Sequence, residues 1–96
     1  MSTYRLTPAA QQDLSSTWDF TEERWSLSQA ETYIRELQAA IERIAEDPHR
    51  GRARDDVREG HCNYAIGSHA IFYRPRADGV DVIRILHLRM DYGRHL

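Results

Sequence analysis

Two amphipathic helical patterns stand side by side in the first half of the chain, with almost no residues between them. The first opens at Thr7-Pro8, a threonine N-cap followed by a proline at the first helical position, where its missing N–H is not needed. The pattern predicts a helix from about Pro8 to about Trp25. Its apolar residues, at helical spacing, are Ala10, Leu14, Trp18, Thr21 and Trp25. Both tryptophans are therefore expected in the core, whereas Phe20 lies off this stripe and is expected at the surface.

The second helix is predicted to begin at the capping box Ser28-Gln29-Ala30-Glu31. It ends before Asp47-Pro48, because the residue that precedes a proline is pushed out of helical geometry. Its apolar face consists of Ala30, Tyr33, Ile34, Leu37, Ile41 and Ile44. Two amphipathic helices joined by so short a link must form an antiparallel hairpin, and a second layer must cover its apolar face.

The rest of the chain predicts that second layer as a sheet. Residues 4–6 form a short strand-like lead-in, residues 48–60 are a polar connector, and residues 62–66 and 69–74 alternate around a Gly67-Ser68 turn. After a turn at residues 75–79, residues 80–88 are apolar on both faces, which is typical of a central strand. The predicted fold is one α+β domain over residues 1–96, in the order β-α-α-β-β-β. Its antiparallel helical hairpin packs on a mostly antiparallel sheet, in which the place of the first strand stays open.

Composition excludes several classes of protein. The hydrophobic fraction of 41% and the charged fraction of 29% are typical of a globular chain and not of a disordered one. No segment approaches the roughly 18 apolar residues of a membrane helix, and the N-terminus lacks the basic-then-apolar layout of a signal peptide. The single cysteine, Cys62, can form no internal disulfide. A cytoplasmic protein without membrane contact is expected.

The charges are unevenly distributed along the chain. Residues 1–48 carry four Arg and nine acidic residues, a net charge of −5, whereas residues 49–96 carry nine Arg and six acidic residues, a net charge of +3. All thirteen basic residues are arginines. Because arginine keeps its proton at every working pH, these groups can hold anions but cannot serve as bases.

Several charged residues are candidates for a functional site. Arg84 interrupts the apolar final strand and is expected to pair with a carboxylate, since an unpaired buried charge would be very costly. His87, Arg89 and Asp91 follow at the strand exit, where a structural and a functional role stay equally open. The connector arginines Arg50, Arg52, Arg54 and Arg58 alternate with three acids, which predicts a solvated loop, with partner binding second, and no sequence-specific contact with nucleic acid.

Cofactor and metal chemistry are not predicted. The sequence has no Gly-rich phosphate loop, no paired-Cys or His-x-x-x-His metal spacing and no serine elbow. Its five histidines are scattered, and Cys62 is interpreted as a small core residue of a strand. A protein that binds other macromolecules, without a cofactor or a metal, is the prediction that follows.

The order of these motifs resembles that of ParE-type toxins of bacterial type II toxin–antitoxin modules. The similar pieces are the opening Tyr-x-Leu-Thr-Pro-Ala-Ala-x-x-Asp-Leu at residues 4–14, Trp25 with the capped second helix, the Pro-x-x-Gly-Arg of residues 48–52, the Ser-His-x-x-Phe-Tyr-Arg of residues 68–74, and the ending Ile-x-Ile-Leu-His-x-Arg-Met-Asp at residues 83–91. No single piece is specific, but together they cover nearly the whole chain, and the layout of this family agrees with the predicted one.

The resemblance implies a growth-inhibiting toxin that traps DNA gyrase on cleaved DNA and makes no covalent change itself. A ParD-type antitoxin, disordered alone in its C-terminal segment, would fold over the toxin and neutralise it. Candidates for target binding are His87, Arg89, Met90, Asp91 and Tyr92. Candidates for antitoxin binding are Phe20, Arg52, Arg54, Arg58 and Arg74. No catalytic residue is assigned in this interpretation.

Two alternatives stay open. The same superfamily contains RelE-type ribosome-dependent mRNA endonucleases, whose chemistry needs a base, a phosphate clamp and an acid. RelE uses lysines, which this chain lacks, so the substitutes would be His87 or Glu59 as base, Arg84 or Arg89 as clamp, and Tyr92 as acid. The other alternative is a toxin fold that has lost toxicity and serves only in complex with its partner.

Overall fold

The computed structural model of the protein describes residues 3–90 and 92–96. The helices in these ranges are α1 (Pro8–Arg24), α2 (Leu27–Glu46) and α3 (Tyr92–His95), with a 3-10 turn at Pro48–Arg50. The strands are β1 (Thr3–Leu6), β2 (Arg52–Ala53), β3 (Cys62–Ile66), β4 (His69–Arg76) and β5 (Gly79–His87). None of the helices described is long and apolar enough to cross a lipid bilayer.

The five strands form one sheet in the order β1-β5-β4-β3-β2. Strand β1 runs parallel to β5, and the other three pairs are antiparallel. The predicted α+β class, the helical hairpin and the central position of β5 are confirmed. The structure adds two elements to the predicted order, the short strand β2 and the C-terminal helix α3, and it places the first strand at the edge of the sheet.

The hairpin of α1 and α2 covers one face of the sheet. The fully buried side chains between the two layers come mainly from α2, β4 and β5, and they include Ile41, Ile44, Ile71, Tyr73, Val80 and Val82. Helix α1 contributes little apolar surface, because only Ala10 and Thr17 of this helix are buried. The hairpin is therefore held to the sheet mainly by the apolar face of α2.

Three details of the predicted hairpin differ from the structure. Helix α2 begins at Leu27, and its N-cap is Ser26, whose hydroxyl accepts the N–H of Gln29 at 3.1 Å. Ser26 and Gln29 have the same capping-box spacing as the predicted pair, one half-turn earlier in the chain. Trp25 is not in the core but 74% exposed, because α1 ends at Arg24 and the helical periodicity does not extend to this residue. Trp18 is only partly buried, and its indole N–H donates to Glu22 at 2.9 Å.

The connector and the last turn also differ from the prediction. Residues 48–60 are not irregular throughout, because Arg52 and Ala53 pair with the start of β3. A two-residue strand is too short to show a periodicity. Strand β4 continues through Pro75 to Arg76, beyond the predicted end at residue 74. A proline is tolerated there because β3 pairs with β4 only as far as Tyr73, so the N–H that Pro75 lacks has no partner strand on that side.

Helix α1 completes the hydrogen bonding of β5 where β1 ends. The pairing of β1 with β5 stops at Leu6 and Val82. The next residue, Thr7, donates its N–H to the Val82 carbonyl at 3.1 Å and its hydroxyl to the Ile83 carbonyl at 2.7 Å. Further along the helix, the carboxylate of Asp13 accepts the N–H of Ile85 at 2.9 Å. Thr7 and Asp13 thus satisfy backbone groups of β5 that a neighbouring strand would otherwise satisfy.

Arg84 forms the predicted ion pair, and its partner is Asp13. The guanidinium makes two charge-assisted hydrogen bonds to this carboxylate, from Nε at 2.7 Å and from Nη2 at 2.9 Å. Its Nη1 donates to the carbonyl of His95 in the C-terminal helix at 3.1 Å. Arg84 therefore links the helical hairpin, the central strand and the C-terminal residues.

The ladder between β4 and β5 contains one irregularity. Phe72 pairs with Arg84, but the next residue, Tyr73, pairs with Val82, so Ile83 is an extra residue in β5. Val80, Val82 and Ile85 face the helical hairpin. Leu86 faces the other side of the sheet, where it packs with Ala70 and Phe72 beneath Tyr92 and Leu96 of the C-terminal segment.

We predict that Asp13→Asn lowers the free energy of unfolding by about 2 kcal/mol, because it removes the charge from a partly buried pair and weakens the bond to the Ile85 N–H. Urea denaturation monitored by circular dichroism measures this change. The matched control is Arg5→Gln, since Arg5 pairs with Asp81 but its side chain is 72% exposed, and a change under roughly 0.5 kcal/mol is expected there. Similar losses in the two variants would contradict the structural role of Asp13.

Candidate functional site

A groove of about 690 Å³ lies between the helical hairpin and the exit of β5. One wall is formed by α1 and the first two turns of α2, and the other by the β3–β4 turn and the end of β5. Its floor consists of Thr17 and Ile85. The hydroxyl of Thr17 donates to the Asp13 carbonyl at 2.8 Å, and that of Thr21 donates to the Thr17 carbonyl at 2.7 Å. Because these hydroxyls are satisfied within α1, the floor is mainly apolar.

The mouth of the groove carries large exposed apolar side chains. Phe20 is 58% exposed, Trp25 is 74% exposed and Met90 is 45% exposed, and all three line the groove. The guanidinium of Arg24 lies over the Phe20 ring, 5.3 Å from its centroid. A single exposed apolar residue is ordinary, but three around one apolar groove are typical of a surface that binds another macromolecule.

Two histidines meet in the wall of the groove. His69, the first residue of β4, pairs with His87, the last residue of β5. Their ring centroids lie 5.4 Å apart in an edge-to-face arrangement. Tyr33 of α2 packs against His69, with ring centroids 5.5 Å apart. These three residues form what we call the histidine cluster.

Hydrogen bonds fix both imidazoles of the histidine cluster. The Tyr33 hydroxyl lies 2.7 Å from Nδ1 of His69, and its oxygen accepts the N–H of Ser68 at 3.0 Å. The hydroxyl hydrogen is donated to Nδ1 in preference to the Ile66 carbonyl, which lies farther from the hydroxyl, at 3.5 Å. Nδ1 of His87 accepts the N–H of Arg89 at 3.1 Å. With both Nδ1 atoms acting as acceptors, each neutral ring carries its proton on Nε2.

The groove shifts the titration of two members of the cluster. Burial lowers the pKa of His69 below 6.5, and the nearby His87 lowers it further, while Asp13 acts in the opposite direction. Burial raises the pKa of the Tyr33 hydroxyl above 10.0, and the hydrogen bond from Ser68 partly offsets this effect. Both side chains are therefore neutral near pH 7.

The residues proposed for nuclease chemistry are not all gathered in one place, although the N–H of Arg89 is bonded to His87. His87 lies in the groove, whereas Arg84 and Tyr92 belong to the opposite face, with the Arg84 guanidinium bound to Asp13. Tyr92 packs edge-to-face on Phe72, with ring centroids 4.6 Å apart. Glu59 lies in the loop between β2 and β3, where its carbonyl contacts the His61 ring. No group of three or more His, Cys, Asp and Glu side chains in residues 3–90 and 92–96 is placed to hold a metal ion.

The candidates for target binding divide between the groove and its surroundings. His87 and Met90 line the groove. Arg89 is exposed in the turn after β5, and this turn is closed by the Met90 N–H, which donates to the His87 carbonyl at 3.0 Å. Tyr92 is half-buried on the other face of the sheet. Asp91 lies outside the described residues.

The candidates for antitoxin binding also occupy two surfaces. Phe20 is at the mouth of the groove. Arg52 pairs with Asn63, and Asn63 pairs with Phe72, so Arg52 lies on the face of the sheet opposite the groove. Arg74 lies on the same face as Phe72, because it follows Phe72 by two residues in the strand. Arg54 is paired with Asp56 at 3.0 Å and lies over the Tyr92 ring, while Arg58 is exposed in the loop after β2.

Sequence reasoning missed His69, Tyr33 and Asp13 as parts of this site. The sequence pattern places His69 in a strand and Tyr33 on the apolar face of α2, and both positions are compatible with a place in the groove. The available signal was the hairpin register, because two histidines at matching ends of neighbouring antiparallel strands become cross-strand partners. Asp13 lies on α1 among other polar residues and gives no signal until its partner on β5 is known.

The sequence profile of the family described as "ParE toxin of type II toxin-antitoxin system, parDE" matches residues 4–92. The chain belongs to the ParE toxin family. Relatives named Toxin ParE1 are 51% identical in Mycobacterium tuberculosis, over 99% of this chain and 98% of the relative, and 45% identical in Caulobacter vibrioides, over 100% of this chain and 99% of the relative.

A solved structure described as a chromosomal ParDE TA system from P. aeruginosa has the same fold as this ParE-family chain. The TM-score is 0.80, with 93% of this chain and 98% of the other chain covered. The two sequences are only 14% identical, so this likeness concerns the fold. The predicted RelE/ParE-like architecture is confirmed.

We predict that His69 makes the stability of the protein sensitive to mild acid. Because its pKa is lower in the folded protein than in the unfolded chain, the unfolded chain binds more protons below about pH 6.5, and the free energy of unfolding falls as the pH falls through that range. Urea denaturation at pH 7.5 and 5.5 measures the fall. It is expected to be smaller in His69→Gln and unchanged in the control His49→Gln, which alters an exposed histidine of the 3-10 turn. An equal fall in the free energy of unfolding in all three proteins would contradict this role of His69.

Proposed function

We propose that this protein is a toxin that inhibits bacterial growth by binding DNA gyrase, and that a ParD-type antitoxin neutralises it. Membership of the ParE toxin family carries the toxin–antitoxin part of this proposal. The gyrase target and the ParD-type partner are inferences from the family and from the similarity in fold to a chain of a ParDE system. A cytoplasmic location, where both partners would be met, is part of the same proposal.

The observation that best supports an antitoxin partner is the apolar groove with Phe20, Trp25 and Met90 at its mouth. An amphipathic segment that is disordered alone gains affinity by placing apolar side chains in such a groove. The floor of Thr17 and Ile85 offers mainly apolar contacts, and a helix or an extended segment could lie along it. We therefore assign the antitoxin to this groove.

The turn after β5 is the surface that we assign to the target. Leu88 is 45% exposed and its N–H donates to the Ser68 carbonyl at 2.9 Å, which holds the turn against the β3–β4 hairpin. Arg89 beside it is exposed. An apolar side chain and a guanidinium on a fixed turn form a compact contact surface of the kind that carries binding energy in protein interfaces.

The positions and hydrogen-bond partners of the basic residues favour binding without catalysis. A nuclease of the RelE type would need a phosphate clamp beside a base and an acid. Arg84 is committed to Asp13 and to the His95 carbonyl, and it lies on the opposite side of the sheet from His87. Arg89, the other candidate clamp, is beside His87, but Tyr92, the candidate acid, packs on Phe72 on the opposite face of the sheet.

We predict that induced expression in a sensitive bacterium arrests growth with filamentation and a DNA-damage response. Purified protein is expected to increase the amount of cleaved DNA held by gyrase in a plasmid cleavage assay. Arg89→Ala should weaken both effects without lowering the melting temperature, because this side chain is exposed. The matched control is Arg35→Ala, an exposed arginine of α2 away from the turn.

Other outcomes of that experiment would favour the alternatives. Rapid loss of mRNA, with cleavage inside translating ribosomes and no effect on gyrase, would favour the endonuclease and refute the gyrase target. Normal growth with a folded, soluble protein would favour a non-toxic binding partner.

We predict that Phe20→Ala and Trp25→Ala each weaken the antitoxin complex about tenfold or more, as truncation of an aromatic anchor does at protein interfaces. Isothermal titration calorimetry measures the affinity. The matched control is Leu27→Ala, because Leu27 is 54% exposed, close to the 58% of Phe20, but does not line the groove. All three melting temperatures should stay near that of the unaltered protein.

If Arg52→Ala or Arg74→Ala weakened the complex and the aromatic variants did not, the antitoxin would lie on the opposite face.

A further inference from the structure

The histidine cluster presents two hydrogen-bond donors to the groove. The Nδ1 atoms of His69 and His87 are occupied, by the Tyr33 hydroxyl at 2.7 Å and the Arg89 N–H at 3.1 Å. The remaining donors are the two Nε2–H groups, on rings whose centroids are 5.4 Å apart. Within residues 3–90 and 92–96, neither Nε2 has a hydrogen-bond acceptor. Two adjacent donors without acceptors, in a groove that is otherwise mainly apolar, form a receiving site for an acceptor on a ligand.

Among the described residues, the carboxylate that lines the groove cannot fill this role. Asp13 lines the same groove, but its Oδ1 accepts from Arg84, and its Oδ2 accepts from Arg84 and from the Ile85 N–H. Its negative charge is therefore balanced within the protein. Among residues 3–90 and 92–96, none is therefore placed to accept the two Nε2–H groups, which leaves them to solvent or to a ligand.

The composition of the groove favours a carboxylate over a phosphate as that acceptor. Although the chain has thirteen arginines, none of the side chains described as lining the groove is an arginine. Sites that bind a phosphodiester backbone normally supply several fixed cations. Two imidazoles, of which that of His69 is neutral at pH 7 and can gain a proton, match a single carboxylate beside apolar groups.

We propose that His69 and His87 bind one carboxylate of the antitoxin, an Asp or Glu side chain carried on the otherwise apolar segment that enters the groove. This inference rests on the proposed function for the identity of the partner. The receiving site itself is a property of the chain alone. The carboxylate accepts both Nε2–H groups and fixes the register of the segment, while Phe20, Trp25 and Met90 contact its apolar side chains.

Binding of the carboxylate is coupled to proton uptake. Among the described residues, the titratable and charged groups around the two imidazoles are Asp13 on α1, Tyr33 and Glu36 on α2, Arg89 in the turn after β5, and Arg84 through Asp13. Before binding, burial and His87 disfavour a proton on His69. A carboxylate at Nε2 favours the imidazolium, so the pKa of His69 rises on binding and a proton is taken up below neutral pH.

The first experiment uses a small probe and the purified full chain. 3-Phenylpropionate carries one carboxylate on an apolar group, and 3-phenylpropionamide is its neutral counterpart. Long-range ¹H–¹⁵N NMR spectra of the histidine rings at pH 6.5 report the tautomers and the binding. We expect the acid to bind about tenfold more tightly than the amide, because its hydrogen bonds are charge-assisted, and to shift the Nε2 resonances of His69 and His87.

Variants separate the carboxylate site from general binding in the groove. His87→Gln and His69→Gln are expected to remove the preference for the acid, whereas His49→Gln, outside the groove, should keep it. Equal binding of acid and amide by the unaltered protein would overturn the proposal without depending on any variant. So would tighter binding of phenyl phosphate than of 3-phenylpropionate, which would indicate a phosphoryl ligand. None of these measurements requires an antitoxin or gyrase, so they can succeed or fail independently of the proposed function.

The second experiment uses the complex with the antitoxin encoded beside the gene. Calorimetry at pH 6.5 in two buffers of different ionisation enthalpy measures the protons exchanged on binding. We expect net uptake with the unaltered toxin and loss of that uptake with His69→Gln. Replacing the contacting antitoxin carboxylate by its amide should reproduce the loss, and the absence of proton uptake in a tight complex would refute the assignment of the partner to this site.

Discussion

The free edge of β5 sets the main constraint on this structure. Beyond Val82 the central strand has no neighbour on one side, and helix α1 supplies the missing partners through Thr7 and the Asp13 carboxylate. Because the same carboxylate binds Arg84, the charge in the middle of an apolar strand is neutralised by the group that also orients the helix. The position of α1, and hence the width of the groove beside it, therefore depends on one acid on a helix that buries little apolar surface of its own.

Local signals in the sequence predicted most of the fold. The Thr7-Pro8 start, the periodicity of α2 and the strand pattern of β5 are short-range features, and all three are confirmed. The details that were predicted wrongly, or left open, are those for which the local sequence pattern allows more than one structure. Ser26 and Ser28 both open a capping-box pattern, and the helix uses the earlier one. The parallel pairing of β1 with β5 joins residues more than seventy positions apart, so no local pattern could reveal it.

The site was less predictable than the fold, because it is assembled from pairs that only the register creates. His87 stood out as a strand-exit residue, but its partner His69 becomes its neighbour through the β4–β5 pairing. The predicted apolar stripe of α1 extends to Trp25, which is in fact exposed at the groove. An aromatic residue at the end of a helix can belong to the core or to a binding surface, and composition alone does not separate the two. The pairing of Arg84 with a carboxylate could be anticipated from the cost of an isolated charge, whereas its partner could not.

The extra residue in β5 has a consequence for how this chain can vary. Side chains of a strand alternate between two faces, and Ile83 reverses that alternation for everything that follows it. If Ile83 took a regular place in the ladder, Ile85 and His87 would turn away from the helices and the Arg84 guanidinium would point into the apolar layer. The irregular place of Ile83 thus keeps Ile85 and His87 on the groove side of the sheet and Arg84 on the other side. A homologue that lost Ile83 would have a regular strand, with Arg84, Ile85 and His87 on the same faces that they occupy here.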